Sequence, residues 1–322
     1  MATQAPIESR DFMIPSDTPE IELHIRNKRP AGRTDFGEAR TVMLMHGATY
    51  GSGSLYDTPI GGYSFMDYLA RAGFDVYAVD VRGYGESTRP PQMSVAAAQS
   101  EPLGRTESGV RDFTSAVNFV LRTSGIARIN VIGMSWGGSV TGAFTARNGH
   151  KVRRLGLVAP QWVSDKPIPL DAGGPLGGYR VVRAVDARER WVNAAPEWKR
   201  NTLIPDGGFE AWLDNTVRTE PDEALRKNQS IRVANGPIQD IREYWGAGKA
   251  FYDPGQIEVP VLLIHGEWDV DVPLALAQDY FTQLSGSPDK RWLELGEATH
   301  MLMLEKNRGH AYQALVSFLS EA

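Results

Sequence analysis

Short apolar runs alternate with amphipathic stretches along most of this chain. Apolar runs rich in β-branched residues predict strands at residues 41–45, 75–80, 128–132, 154–159, 259–265 and 290–295. Apolar residues at helical spacing predict helices at residues 65–72, 106–122, 138–147, 273–284 and 301–319. Strands that alternate with helices form a mostly parallel sheet covered on both faces, so we expect an α/β fold with a doubly wound sheet.

Residues 1–40 follow a different pattern. Residues 20–26 alternate, with Ile21, Leu23 and Ile25 on one face, which predicts an edge strand. Residues 10–14 are predicted to pair with it. Residues 27–40 are charged and contain glycine and proline, so we predict a loop there.

The strand–helix alternation is interrupted between residues 161 and 255, where five of the eight tryptophans lie. Helices are predicted at residues 179–194, 209–218, 222–234 and 238–245. The main pattern then resumes at residue 259. We therefore interpret residues 161–255 as a helical cap inserted into a core made of residues 1–160 and 256–322. A second independent domain is the alternative, and the return of the main pattern disfavours it.

Composition and charge exclude several classes of protein. Apolar residues make up 42% of the 322 residues and charged residues 23%, an ordinary globular balance. The net charge of −5 argues against a nucleic-acid partner, which usually requires a basic face. No apolar run approaches the roughly 18 residues that cross a bilayer, so no membrane span is expected. Residues 1–12 lack the basic and apolar regions of a signal peptide.

The chain contains no cysteine, which excludes disulfides, cysteine-ligated metal sites and a thiol nucleophile. This absence is typical of a cytoplasmic protein. Gly51-Ser52-Gly53 is not a phosphate loop, because no Gly-Lys-Ser/Thr follows it. No cluster of histidine and acidic residues has the spacing of a metal site. We therefore expect neither a cofactor nor a metal, and the sequence leaves the oligomeric state open.

One pentapeptide offers a catalytic serine. Gly133-Met134-Ser135-Trp136-Gly137 has the form G-x-S-x-G and lies between a predicted strand and a predicted helix. A strand that turns sharply into a helix at a serine forms a nucleophile elbow. The serine then has a strained backbone, and its neighbouring glycines are needed because side chains there would clash with the strand or the helix.

Two further residues complete a possible relay. Ser135, Asp269 and His300 each follow a predicted strand and occur in the order serine, aspartate, histidine. The carboxyl ends of parallel strands meet at one edge of a sheet, where ligands bind. A histidine can take the proton of a serine hydroxyl, and an aspartate can orient the imidazole and stabilise its charged form.

Other residues compete for two of these roles. Asp271 and Glu267 lie close to Asp269 in the sequence and are alternative acids. The remaining histidines, at positions 24, 46, 150, 265 and 310, are less suited to act as the base. His46 and His265 end predicted strands, so we interpret them as supporting hydrogen-bond partners at the border of the site.

At these residues the chain resembles the α/β-hydrolase fold superfamily in its capped form. The resemblance spans about residues 10–320 and rests on five motifs. They are His46-Gly47-Ala48, residues 80–85, the elbow, Gly266-x-x-Asp269, and His300 at the start of the final helix. It implies that Ser135 is the nucleophile, Asp269 the acid and His300 the base. It also implies that the backbone N–H groups of Ala48 and Trp136 form an oxyanion hole, in which each donor contributes roughly 3 kcal/mol.

The resemblance implies a hydrolase, and within that class we expect a carboxylic ester hydrolase acting on a small-molecule ester. Epoxide hydrolases and haloalkane dehalogenases of this fold use an aspartate at the elbow, so Ser135 disfavours both. Lactonases, amidases, perhydrolases and C–C bond hydrolases of the β-diketone type share the same relay and remain alternatives. A non-catalytic ligand-binding relative is disfavoured because all three relay residues are present.

The inserted segment indicates the kind of substrate. Its many aromatic residues predict a closed, apolar pocket for a small or medium-sized molecule. Its arginines, Arg180, Arg183, Arg188 and Arg190, either hold a substrate carboxylate or pair with Asp186 and Glu189 at the surface. A bound carboxylate would suit an aromatic monoester such as a monoalkyl phthalate. The side chain of Trp136 either adds bulk beside the nucleophile or packs into the core.

Overall fold

A computed structural model describes residues 6–321 of the chain. The signal-peptide prediction for residues 1–12 lies partly outside this range, as do both ends of the predicted core. The strands within the range are β1 (Ile7–Pro15), β2 (Glu22–Pro30), β3 (Thr41–Met45), β4 (Asp75–Val79), β5 (Ile129–Met134), β6 (Val152–Val158), β7 (Tyr179–Arg183), β8 (Ser230–Ala234), β9 (Val261–Gly266) and β10 (Lys290–Leu295).

Eight of these strands form one sheet, in the order β1-β2-β4-β3-β5-β6-β9-β10. The six strands from β4 to β10 in this order pair in parallel, whereas β1 and β2 are antiparallel additions at one edge. β3, β4 and β5 are buried on both faces, which explains why they read as continuous apolar runs. The predicted α/β fold with a mostly parallel sheet is confirmed.

Helices cover both faces of the sheet and form much of the segment between β6 and β9. The α-helices within residues 6–321 are α1 (Ser52–Tyr56), α2 (Phe65–Arg71), α3 (Thr106–Ser124), α4 (Trp136–Asn148), α5 (Ala187–Asn193), α6 (Arg200–Leu203), α7 (Gly208–Val217), α8 (Glu223–Lys227), α9 (Gly236–Glu243), α10 (Leu274–Gln283) and α11 (Arg308–Ser320). Two apolar clusters fill the two faces, as expected for a doubly wound sheet. Within the described chain, no helix has the length and apolar content needed to cross a bilayer.

The predicted loop at residues 27–40 is wrong for its first part, because β2 continues to Pro30. Polar residues are tolerated there because each finds a partner. Asn27 Nδ2 donates to Asp75 Oδ1 at 2.7 Å, and Lys28 Nζ lies 2.8 Å from Asp67 Oδ1. Because these residues are charged or polar, the sequence pattern did not predict that β2 continues through them. In the structure, β2 pairs with β1 on one side and with β4 on the other.

Residues 161–255, hereafter the inserted segment, are not purely helical. The helix predicted at residues 179–194 begins with strand β7, and the one predicted at 222–234 ends in strand β8. The two strands form an antiparallel ribbon with Tyr179 opposite Ala234 and Arg183 opposite Ser230. Each strand is only five residues long, too short for the sequence pattern to separate from a helical turn.

The closing helix begins at Arg308, not at Met301 as predicted, so His300 does not open it. Turns occupy residues 301–307 instead. The N–H of Lys306 bonds to the carbonyl of Leu203 at the end of α6, at 2.9 Å, rather than to a carbonyl of its own helix. This contact with the inserted segment keeps the chain after His300 in a loop.

Candidate active site

Ser135 occupies the turn between β5 and α4 with φ 56° and ψ −124°. A non-glycine residue in this region is strained, typically by about 1–3 kcal/mol. The two glycines of the pentapeptide allow the turn to close. A Cβ on Gly133 would lie 2.3 Å from the Gly137 carbonyl oxygen, and one on Gly137 would lie 2.2 Å from the His46 carbonyl oxygen. The steric reason predicted for both glycines therefore holds in the folded chain.

His300, which is partly exposed, forms a hydrogen-bonded pair with the buried Asp269. His300 Nδ1 lies 2.8 Å from Asp269 Oδ2. The other carboxylate oxygen of Asp269 accepts the backbone N–H groups of Asp271 and Val272, at 2.9 and 2.8 Å. All of these donors fix the orientation of the carboxylate, which in turn fixes the imidazole plane.

The competing acids are engaged elsewhere. Asp271 pairs with the guanidinium of Arg190. Glu267 accepts the backbone N–H of Glu297 at 2.8 Å. Among the three acidic candidates, Asp269 is therefore the one that accepts a hydrogen bond from His300.

The Asp269 carboxylate strongly affects the titration of His300. Burial alone would lower the pKa of the imidazole, because it disfavours the charged form. The charge and hydrogen bond of Asp269, with a further contribution from Asp271, outweigh burial and raise the pKa of His300 to about 9. Asp269 therefore stabilises the imidazolium form of His300.

Ser135 and His300 line the same cavity, whose volume is about 490 Å³. One wall comes from the sheet edge, including Gly47, Ala48 and Tyr50 from the loop after β3. The opposite wall comes from the inserted segment and is mainly apolar, with Ile168, Leu170, Val182, Trp191 and Trp212 among its residues. The volume is that of a site for a small or medium-sized ligand.

The two predicted oxyanion donors differ in their surroundings. Ala48 lines the cavity, and Trp136 provides the first N–H of α4, where the helix dipole is positive. Within residues 6–321, neither of these N–H groups has a hydrogen-bond acceptor. The Trp136 side chain packs into the core, where its Nε1 donates to Thr106 Oγ1 at 2.8 Å, so it adds no bulk beside Ser135.

His46 and His265 support the loops around the cavity. His46 Nε2 accepts the N–H of Val81 at 3.2 Å, so its Nδ1 carries the proton that bonds to the Gly47 carbonyl at 2.7 Å. His265 Nε2 lies 2.7 Å from the carbonyl oxygen of Val272, in the loop that follows Asp269. Both histidines act on backbone groups, in line with the supporting role predicted for them.

The arginines of the inserted segment have different partners. Arg183 pairs with Asp186 at 3.3 Å, as the sequence suggested, whereas Arg190 pairs with Asp271 and not with Glu189. Arg188 is exposed and lies off the cavity. Arg180 is partly buried, lines the cavity and donates to the Ala234 carbonyl at 2.9 Å.

The sequence patterns did not reveal the three hydrogen bonds that Glu305 accepts beside the site. Glu305 accepts the backbone N–H of Thr299 at 2.9 Å and the indole Nε1 of Trp191 at 2.6 Å, and it also bonds to the Thr299 hydroxyl. It therefore connects the residue before His300 to the inserted segment. Residues 305–308 are all charged or polar, and nothing in this run indicates a buried acid.

Asp269, Asp271 and His300 also bring three potential metal-ligand atoms within 4.8 Å of one another. Each group already has a partner in the chain. His300 Nδ1 bonds to Asp269, and Asp271 pairs with Arg190. The cluster is explained by these pairs, and we assign no ion to it.

Comparisons with known proteins agree with this architecture. The family described as alpha/beta hydrolase fold matches residues 40–307. Over 274 residues the chain is 25% identical to a 2-hydroxy-6-oxononadienedioate/2-hydroxy-6-oxononatrienedioate hydrolase of Cupriavidus pinatubonensis, covering 83% of this chain and 81% of that protein. It is 24% identical to a 2-hydroxy-6-oxo-6-(2'-aminophenyl)hexa-2,4-dienoic acid hydrolase of Metapseudomonas resinovorans, covering 88% and 85%.

Solved structures show the same fold. The 2-hydroxy-6-oxo-6-phenylhexa-2,4-dienoate hydrolase of Rhodococcus sp. strain RHA1 has a TM-score of 0.63 at 17% identity, covering 98% of this chain and 100% of that one. The enol-lactonase of Burkholderia xenovorans has a TM-score of 0.60 at 19% identity, covering 96% and 100%.

Proposed function

Because this chain belongs to the alpha/beta hydrolase fold family, we propose that it is a serine hydrolase that transfers the acyl group of a small ester to water. One observation carries the proposal. A strained serine at a strand–helix turn shares a cavity with a histidine that is bonded to a buried aspartate. This is the set of groups that acyl transfer requires.

In the first step, Ser135 Oγ attacks the ester carbonyl while His300 Nε2 takes the hydroxyl proton. A serine hydroxyl is a poor nucleophile until a base removes this proton. Asp269 keeps the Nδ1 proton in place, so that Nε2 is free to act as the base. The imidazolium that forms is stabilised by the same carboxylate.

The negative charge that develops on the carbonyl oxygen is stabilised by the N–H groups of Ala48 and Trp136. Neither group has an acceptor among residues 6–321, which supports this role. Each such donor contributes roughly 3 kcal/mol to the stability of the transition state. The N-terminus of α4 adds a favourable dipole.

The tetrahedral intermediate then collapses and the C–O bond breaks. His300 gives its proton to the departing alkoxide, which leaves as an alcohol, and the acyl group remains on Ser135. A water molecule then attacks the acyl-enzyme, again with His300 as the base, and the carboxylic acid is released. Ser135 regains its proton, so the cycle consumes only ester and water.

We infer that the inserted segment acts as a cap that selects the substrate. It contributes the apolar wall of the cavity, including Trp191 and Trp212, and the core contributes Ser135 and His300. A cavity of about 490 Å³ suits a small or medium-sized ester with an apolar or aromatic part.

The decisive test is the hydrolysis of p-nitrophenyl esters from C2 to C12 by wild type and by Ser135→Ala. We expect turnover of the shorter esters by wild type and a background rate for the variant. A fluorophosphonate probe should label wild type and not the variant. If neither hydrolysis nor labelling is observed, the chain is a ligand-binding relative and the proposal fails.

Cleavage of a carbon–carbon bond is a second candidate, and the two relatives with the longest coverage favour it. Their names describe hydrolases of 2-hydroxy-6-oxo acids, which contain no ester, so hydrolysis there breaks a C–C bond next to a ketone. Labelling of Ser135 without turnover of any p-nitrophenyl ester would support this alternative. Such a result would be followed by an assay with a 2-hydroxy-6-oxo-dienoate, whose decay is followed by absorbance.

A further inference from the structure

Three arginines line the cavity that contains Ser135, and they differ in their counter-ions. Arg183 and Arg190 each pair with a carboxylate of the same cavity, Asp186 and Asp271 respectively. Arg180 pairs with no carboxylate anywhere in residues 6–321. The cavity therefore contains one arginine whose charge is not balanced by the chain itself.

The hydrogen bonds of Arg180 leave part of its guanidinium free. Nη1 donates to the Ala234 carbonyl at 2.9 Å and to Asn235 Oδ1 at 3.2 Å, which uses both of its hydrogens. Nη2 donates once, to Thr49 Oγ1 at 3.2 Å. One Nη2 hydrogen and the Nε hydrogen have no acceptor in the described part of the chain. Two such donors match the two oxygens of a carboxylate.

The electrostatic surroundings of Arg180 are also unfavourable for an isolated cation. Burial lowers its pKa, and Arg190 lowers it further, while the neighbouring groups that oppose this effect are the phenols of Tyr84 and Tyr50. A partly buried charge without a charged partner is unfavourable, and a bound anion offsets part of that cost. The neutral partners of Arg180 hold its guanidinium in place without neutralising it.

We propose that Arg180 is the subsite for a carboxylate on the substrate, so that the preferred substrates are half-esters of dicarboxylic acids. This inference rests on the proposed serine hydrolase function. Thr49, which binds Arg180, directly follows Ala48, the proposed oxyanion donor. A carboxylate on Arg180 therefore lies close to the scissile carbonyl, as it does in a short or ortho-substituted half-ester.

The test compares two esters of matched size. Monobutyl phthalate carries a carboxylate beside the scissile ester, and butyl 2-nitrobenzoate carries a neutral nitro group of the same shape. The nitro group activates the ester more strongly, so the comparison is biased against the proposal. We expect wild type to prefer monobutyl phthalate in kcat/KM by roughly 10- to 100-fold, the usual effect of hydrogen bonds to a charged group.

Arg180→Met removes the charge and keeps the apolar stem. We expect it to abolish the preference, because kcat/KM should fall much further for the half-ester than for the nitrobenzoate. Arg180→Lys keeps a charge without the planar fork and should restore part of the preference. Arg183→Met is the matched control, because it removes a paired arginine from the same cavity and should leave the preference unchanged.

Equal losses for both esters in Arg180→Met would mean that Arg180 only holds Thr49 and Ala234 in place, and the subsite would be rejected. The comparison of the two esters with wild type does not depend on whether the variants fold. If wild type shows no preference for the half-ester, the carboxylate subsite is also rejected. Hydrolysis of butyl 2-nitrobenzoate and labelling by the fluorophosphonate report separately on the relay. These two measurements therefore distinguish a failure of the proposed subsite from a failure of the proposed hydrolase function.

Discussion

The glycine at the end of the elbow has a strict steric role. A Cβ on Gly137 would lie 2.2 and 2.5 Å from the carbonyl oxygens of His46 and Met45, two backbone atoms that cannot move without disturbing β3. We expect Gly137→Ala to lower the free energy of unfolding by roughly 3 kcal/mol. Thermal and urea unfolding measure this directly.

Gly149 provides the control for this substitution, because it follows the same helix, has φ −52° and leaves nothing within 4 Å of an added Cβ. Gly149→Ala should be neutral or slightly stabilising. Similar stabilities for the two variants would contradict the proposed clash.

The pairing of His300 with Asp269 predicts the pH dependence of the reaction. His300, the base in the proposed reaction, must be neutral to act, and its pKa is raised from the ordinary value of 6.5 to about 9. We therefore expect kcat/KM to increase with pH along a limb whose midpoint lies above 6.5, towards 9. Asp269→Asn should move this midpoint down and lower kcat roughly 10³- to 10⁴-fold. A pH profile of both proteins, with an ester whose own hydrolysis is subtracted, provides the measurement; an unchanged midpoint would contradict the assignment of Asp269.

At the residue level, the sequence was informative wherever the chemistry demanded one residue type at one place. Ser135, Asp269 and His300 could be proposed as a relay because each follows a predicted strand, and strand ends converge at one edge of the sheet. Arg180 could be named only as one of four arginines. What distinguishes it is that it lines the cavity and, within residues 6–321, pairs with no carboxylate, whereas Arg183 and Arg190 do. Its neutral partners, Thr49 and Ala234, are distant from it in sequence.

The loop between β10 and α11 is held by a buried acid rather than by a helix. Glu305 accepts bonds from Thr299 and from Trp191, so it links the His300 loop to the inserted segment. An amide at position 305 has one acceptor atom and one donor atom, and it cannot satisfy all of these donors. We expect Glu305→Gln to lower kcat roughly 10-fold with little change in KM, because His300 loses its fixed position.

The same residue predicts how stability changes with pH. Burial raises the pKa of Glu305 from 4.5 to about 7, against the hydrogen bonds from Thr299 and Trp191, which lower it. Between these values the unfolded chain loses the proton before the folded chain does. The free energy of unfolding should therefore fall by about 3 kcal/mol as the pH rises from 4.5 to 7. The free energy of unfolding of Glu305→Gln should not show this decrease with pH. Glu294→Gln, at an exposed position on β10, should show it as wild type does.

Strands and helices of the core were predictable because each is long enough for its apolar periodicity to be read. β3 and β10 have the predicted bounds. The ribbon of β7 and β8 was missed because its strands are short and its pairing joins residues some fifty positions apart. The start of α11 was missed because a contact from Lys306 to Leu203 overrides local helix propensity.

For the molecule as a whole, Asp80 connects the antiparallel edge to the loops around the cavity. It accepts the N–H groups of Ser52 and Glu86, at 2.7 and 3.1 Å, and lies 3.3 Å from His24 Nδ1 on β2. Burial alone would raise the pKa of this carboxyl, but these bonds and the nearby histidines lower it from 3.8 to about 2.

The ionised form of Asp80 therefore stabilises the folded state above pH 3.8, and this contribution is lost as the pH falls towards 2. We expect Asp80→Asn to lower the free energy of unfolding at pH 7 by about 2 kcal/mol, and the difference from wild type to shrink below pH 3.8. Acid titration of unfolding tests this. Asp214→Asn, at an exposed position on α7, should behave like wild type, and a constant deficit for Asp80→Asn at every pH would contradict the account.

The predicted cytoplasmic location and the absence of a nucleic-acid partner stay predictions. The proposed division into a core and an inserted segment has a consequence for evolution. The elbow admits little variation, because its glycines are enclosed by backbone atoms. The opposite wall of the cavity belongs to short elements joined by loops, where substitutions and insertions are far better tolerated. A lineage can therefore acquire a new substrate by altering that wall alone, and duplicated copies of such a gene can diverge in specificity while inheriting the same reaction.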